Sequence, residues 1–347
     1  MKNTDNFNDI LPNELSQADI DMAHQYFDDS NPEEFHLWGI KCKTNLEYNG
    51  RKYKMLIDKR DSDELIMISL GYATGASTRS LAQACFIRDY INPEATLILN
   101  LNSTGKDTFM NYSKAERQQI RRGALEPAIG RLATALEFAG KPKNLTMLGI
   151  SLGAKTMLEF ASSEACPPAA VAIFGSPSVI DRSLPGLVYD FAWSGYHYDK
   201  AIKSNFKDHD SPLAIDVRPK STPLGAFNYA RSLIHPDNLA MASAICNEST
   251  VGSIEKIANK GGSVVHSWGD LDTVSPDQAN IDIFNKFKKE LRYSGRRLNG
   301  VGHSAGHFYL LMGLLTRYAR DLKRRNDKIN FHPVNKITEL IYHKKAK

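Results

Sequence analysis

The stretch NLTMLGISLGAKTML, Asn144 to Leu158, decides the fold. It begins as an apolar run, breaks at Gly149-Ile150-Ser151-Leu152-Gly153, and resumes with helical character. A short apolar run that turns at once into a helix reads as a buried strand with its crossover helix, the unit of a parallel sheet. One serine stands between two glycines at the turn. A side chain at either glycine position would crowd the neighbouring backbone, and the helix start offers free N–H groups and a partial positive charge to an anion. The pattern predicts a tight turn holding a serine hydroxyl at a strand end.

On both sides of this unit the same alternation recurs. ELIMISL (64 to 70) precedes a predicted helix over residues 77 to 90, and ATLILNL (95 to 101) precedes a long helix opening at Ser113. Ser113-Lys114-Ala115-Glu116 is a capping box, in which serine and glutamate satisfy each other's backbone donors. AAVAIFG (169 to 175) closes this half of the sheet. Upstream, FHLWGIKCKTNLEYNGRKYKMLI (35 to 57) alternates around Asn49-Gly50, a strong hairpin signal, and predicts two antiparallel strands. Residues 176 to about 250 lack the alternation and are rich in Pro, Tyr, Asp and Lys, which predicts an insertion. The alternation returns with GSVVHSWG (262 to 269), a helix over about 276 to 292, RRLNGVG (296 to 302), and a final helix from about 304 to 323. Buried strands alternating with helices predict an α/β fold with a mostly parallel sheet covered on both faces.

A serine hydroxyl needs a base within hydrogen-bond reach and a third group to orient that base. Two later strand ends supply both. HSWGDLDTVSP puts Asp270 and Asp272 just past one strand, and LNGVGHSAGH puts His303 just past the next, with His307 four residues on. Taken singly, GDLDT is ordinary turn chemistry and His303 could simply open a helix. Together they stand in the order Ser, Asp, His.

With that order, the chain resembles the α/β-hydrolase superfamily over about residues 36 to 323. The resemblance implies an α/β-hydrolase fold with a cap inserted after the sixth strand, and Ser151, Asp272 and His303 as catalytic residues. Asp270 and His307 are the alternative acid and base. It also implies backbone oxyanion donors at Leu152 and, from the loop Ser69-Leu70-Gly71-Tyr72-Ala73-Thr74-Gly75, at Tyr72. In the family that loop usually carries His-Gly; here Leu70 stands in the histidine's place. The expected organisation is an acidic leader (1–35), a hydrolase core (36–175 and 250–323), a cap (176–249) and a basic tail (324–347). The cap aromatics Tyr189, Phe191, Trp193, Tyr196 and Tyr198 either line an acyl or aromatic pocket or form the cap's own core.

The expected activity is cleavage of a carboxylic ester or thioester through an acyl-enzyme. An acyltransferase, amidase or peptidase would keep the same three residues, and a non-catalytic hydrolase-fold binding protein is the contrasting reading. The partner expected is a small-molecule ester.

Composition narrows the alternatives. The net charge is +5, but residues 1 to 35 carry nine acids against Lys2, while residues 317 to 347 carry ten Lys or Arg against three acids. Charge-rich ends are commonly solvated surface. The basic end has no recognition motif or interleaved aromatics, so no nucleic-acid partner is expected. Cys42, Cys85, Cys166 and Cys246 are widely spaced, which argues against a disulfide scaffold or zinc knuckle, and neither metal nor organic cofactor is expected. No stretch reaches the roughly 18 apolar residues of a membrane span. The N-terminal residues contain no apolar signal segment, and with free thiols this predicts a soluble, cytoplasmic protein.

Overall fold

The computed structural model describes residues 17–71, 75–102, 109–140, 142–176, 235–245, 250–298, 301–303 and 309–330. Asn49 and Gly50 take φ of +50° and +71°, the paired left-handed conformation of a two-residue hairpin turn. They join antiparallel strands β1 (Lys43–Tyr48) and β2 (Arg51–Asp58), with Tyr48 opposite Arg51. The expected hairpin window opened at Phe35, but residues up to Lys41 form a helix instead. Helix α1 (Gln17–Asp28) is followed by α2 (Pro32–Lys41), which starts because Asn31 accepts a hydrogen bond from the Glu33 N–H and Pro32 is preset for a first helical turn.

Six further strands follow: β3 (Glu64–Ser69), β4 (Thr96–Asn100), β5 (Asn144–Ile150), β6 (Ala169–Phe174), β7 (Ser263–Gly269) and β8 (Tyr293–Leu298). The sheet order is β1-β2-β4-β3-β5-β6-β7-β8. β2 pairs antiparallel with β4, and every pair from β4 to β8 is parallel. All the parallel strands therefore end at one edge, where their following loops gather.

Side chains alternate strictly across this sheet. Ile66 and Ile68, Leu97 and Leu99, and Leu148 and Ile150 face one core; Leu65 and Met67, Ile98, and Leu145 and Met147 face the other. The first core is completed by α1, α2, α3 (Thr78–Ile91) and α10 (Tyr309–Asn330). The second is completed by α5 (Glu126–Ala139), α6 (Leu152–Ser162), α8 (Thr250–Asn259) and α9 (Asp277–Phe287). Each large aliphatic side chain buried this way contributes about 1.5–3 kcal/mol, and burial on both faces is what makes the strands read as continuous apolar runs.

The capping box at Ser113 forms: Ser113 Oγ accepts from the Glu116 N–H at 3.1 Å and Glu116 Oε2 accepts from the Ser113 N–H at 2.6 Å. The helix it opens is shorter than expected. α4 (Lys114–Arg121) ends before Gly123, whose φ of +93° no helix accommodates, and α5 begins with Pro127 in its first turn. Helix α7 (Pro236–Ile245) packs on α4 and α6. Among the described residues, Asp19 of α1 in the acidic end lies 3.6 Å from Arg317 of α10 in the basic end and accepts from Tyr90 Oη at 2.8 Å. Farther along α10, Arg324 pairs with Glu64 at 2.5 Å. Among the described residues no helix is long and apolar enough to cross a membrane.

Candidate active site

Strand β5 passes into α6 at Ser151, a non-glycine residue held at φ +54° and ψ −120°. Such a conformation costs about 1–3 kcal/mol and persists only where the surroundings impose it. Here they do. A Cβ on Gly149 would stand 2.5 Å from Ala154 Cα, and one on Gly153 would stand 2.0 Å from the Ser69 carbonyl oxygen. The two glycines are required by close backbone approach. The Ser151 N–H continues the sheet by donating to Phe174 O at 2.9 Å, and the side chain makes no hydrogen bond to the start of α6. Its hydroxyl is left to face the sheet edge, where Ser151 is 6% exposed.

His303 follows β8 and is likewise buried. Its Nε2 lies 2.8 Å from Ser151 Oγ, and its Nδ1 lies 2.7 Å from Asp272 Oδ2. Asp272, buried in the turn after β7, accepts at Oδ1 from the N–H groups of Val274 and Ser275, both at 2.9 Å. One carboxylate oxygen is thus bound to its own turn and the other to the imidazole. With Oδ1 taken by its own turn, Asp272 Oδ2 accepts a hydrogen bond from the His303 Nδ1–H, which leaves Nε2 to accept from the Ser151 hydroxyl.

Of the two aspartates in this turn, Asp272 is the one bonded to His303. Asp270 accepts from the Val301 N–H at 3.1 Å and lies 3.8 Å from Arg297, bridging the loops after β7 and β8. His307, Tyr72 and the cap aromatics lie outside the described residues. Leu152, the first residue of α6, is fully buried beside the serine. The strand end leading to Tyr72 is anchored from the end of β4 and the residues after it: Asn100 Nδ2 donates to Ser69 Oγ at 2.9 Å and Asn102 Nδ2 to Leu70 O at 2.5 Å. Two carboxamides hold the segment in which Leu70 stands in place of a histidine.

Gly175, at the end of β6, escaped the sequence reading as a site residue. Its φ is +56°, and a Cβ there would stand 3.1 Å from both Asp272 Oδ2 and His303 Nδ1. The only hint was a glycine at a strand end adjoining the serine's strand. Among the described cysteines, burial pushes the thiols of Cys85 and Cys166 up to about 12 and that of Cys42 up to about 11, which disfavours the reactive thiolate; Cys246 lies outside the described residues. Among the described residues no cluster of three or more His, Cys, Asp or Glu is placed to hold a metal ion.

No protein-family model matches the chain, and no curated protein sequence does. Its structure is similar to solved ones. A putative lipase from Acinetobacter baumannii AYE superposes with a TM-score of 0.53 at 12% identity, covering 90% of this chain and 98% of that one. A thermophilic esterase from Thermogutta terrifontis gives 0.51 at 11% identity, with coverages of 82% and 98%. MGS-M2, an α/β hydrolase enzyme from a Medee basin deep-sea metagenome library, gives 0.51 at 13%, with 80% and 96%. With its mixed eight-stranded sheet, two covered faces and a serine at the turn after β5, the chain has the α/β-hydrolase fold.

Proposed function

We propose that the protein is a serine hydrolase that cleaves a carboxylic ester or thioester through an acyl-enzyme. The observation that carries this reading is the buried chain Ser151 Oγ, His303, Asp272, with contacts of 2.8 and 2.7 Å. His303 Nε2 takes the hydroxyl proton as Ser151 attacks the acyl carbon. The imidazolium is held by Asp272 and then passes the proton to the leaving alcohol or thiol. Water, activated by the same imidazole, releases the acid. Charge on the tetrahedral oxygen is stabilised by the Leu152 N–H at the start of α6 and by the Tyr72 N–H. Residues 176–249 are proposed as the cap that selects the acyl or alcohol group. The esterase and lipase named among the structural neighbours favour an ester over an amide.

Hydrolysis of 4-nitrophenyl acetate, an acyl thioester and a matched anilide separates the possibilities. Ester or thioester turnover that disappears in Ser151→Ala is expected. Turnover confined to the anilide, or retained in Ser151→Ala, contradicts the proposal.

A further inference from the structure

The turn that carries Asp272 is tied into a polar array that nothing in the proposed chemistry uses. Asn280, fully buried on the first turn and a half of α9, directs Nδ2 at Ser275 O, Ser275 Oγ and Pro276 O, at 3.0, 3.0 and 2.9 Å. Its Oδ1 lies 2.9 Å from Nε2 of His266, a fully buried residue of β7. The two carbonyl acceptors on the Nδ2 side fix the carboxamide orientation, so His266 Nε2 carries a proton and donates. His266 Nδ1 then accepts from Tyr293 Oη on β8, 2.9 Å away. At the other end, the Ser275 N–H donates to Asp272 Oδ1 at 2.9 Å and Ser275 Oγ donates to Ser176 O at 2.5 Å. The bonds run without a break from Tyr293 through His266, Asn280 and Ser275 to the carboxylate that holds His303. All these side chains are buried.

We infer that Asn280 and His266 are positioning residues that set the Asp272 carboxylate against His303 Nδ1. This rests on the function proposed above. An apolar pair could brace α9 against β7 equally well, but it could not hold three acceptors of the Ser275-Pro276 turn at fixed directions. Buried polar arrays are directional in a way apolar packing is not. Burial lowers the His266 imidazole to about 4, so it stays neutral and keeps one donor and one acceptor, as the array requires. The Trp268 ring, 5.0 Å away, closes over one side of the imidazole.

The test measures Ser151 labelling by a fluorophosphonate, steady-state hydrolysis of 4-nitrophenyl acetate, and the downfield proton resonance of the His303 Nδ1–H. Asn280→Asp keeps the side-chain shape and removes both donors. His266→Gln keeps a donor toward Asn280, and His266→Leu removes it. Circular dichroism establishes which variants are folded. Expected for folded N280D are labelling about 10- to 100-fold slower, a lower kcat at unchanged KM, and a displaced or lost downfield resonance. H266L should follow in the same direction, with H266Q restoring wild-type behaviour. N280D labelling at the wild-type rate with an unmoved resonance overturns the proposal; should N280D not fold, equal rates in H266L and H266Q overturn it. A wild-type protein that is not labelled at Ser151 overturns the serine-hydrolase reading itself, a different outcome from either.

Discussion

Gly153 lies against Ser69 so closely that a Cβ at position 153 would stand 2.0 Å from the Ser69 carbonyl oxygen. The turn after β5 and the strand end leading to Tyr72 are therefore in backbone contact. Neither can move without the other. Gly153→Ala should destabilise the fold by about 3 kcal/mol, since rigid backbone and not a flexible side chain must give way. The midpoint of urea unfolding measures it; a shift worth less than about 1 kcal/mol would show that the two segments separate easily.

Ser151 stores strain at φ +54° and ψ −120°, a conformation that glycine adopts without penalty. Ser151→Gly should raise stability by about 1 kcal/mol while abolishing fluorophosphonate labelling. Thermal unfolding of the two proteins checks the first half. A destabilised S151G would mean the turn is not strained.

At Gly175 the penalty falls on chemistry more than on folding. An alanine there adopts a left-handed φ at a cost of about 1–2 kcal/mol and pushes its methyl into the Asp272–His303 contact from 3.1 Å. The Gly175→Ala protein should remain folded and label at least about tenfold more slowly than wild type, a loss of roughly 1.4 kcal/mol of transition-state stabilisation. Labelling at the wild-type rate would show that the Asp272–His303 contact tolerates displacement.

His266 makes the fold sensitive to acid. Its imidazole is lowered by burial from 6.5 to about 4, so between those values the unfolded chain binds a proton that the folded protein refuses. Stability attributable to this residue is complete above about pH 6.5, declines as pH falls, and stops declining below about pH 4. The total is on the order of 3 kcal/mol. Urea unfolding of wild type and His266→Gln across pH 4 to 7 reads it as a difference in slope. Parallel curves would contradict it.

Local chemistry explains what was legible in advance. Asn49-Gly50 and the Ser113 capping box act within four residues, and both form as written. The apolar runs of β3 to β7 announce a covered parallel sheet because both their faces are buried. Asn31-Pro32-Glu33 is an equally local helix start within a leader that reads as helical or loose, but alternation in the residues after Phe35 mimics a strand and hides how far the helix runs. Gly123 divided a helix whose apolar pattern ran on across it. The candidate site divides in the same way. Ser151, Asp272 and His303 each sit in a recognisable turn at a strand end. Strand β6 brings Gly175 against Asp272, while β7 and α9 bring His266 and Asn280 to the Ser275 turn that binds it, and no spacing within one segment encodes those meetings.

The most direct measurement is intact-mass and peptide analysis of the protein after reaction with a fluorophosphonate. The account predicts one adduct per chain, mapped to Ser151, absent in Ser151→Ala and strongly slowed in His303→Ala. A folded wild-type protein that gains no adduct, or an adduct that persists in Ser151→Ala, would contradict it.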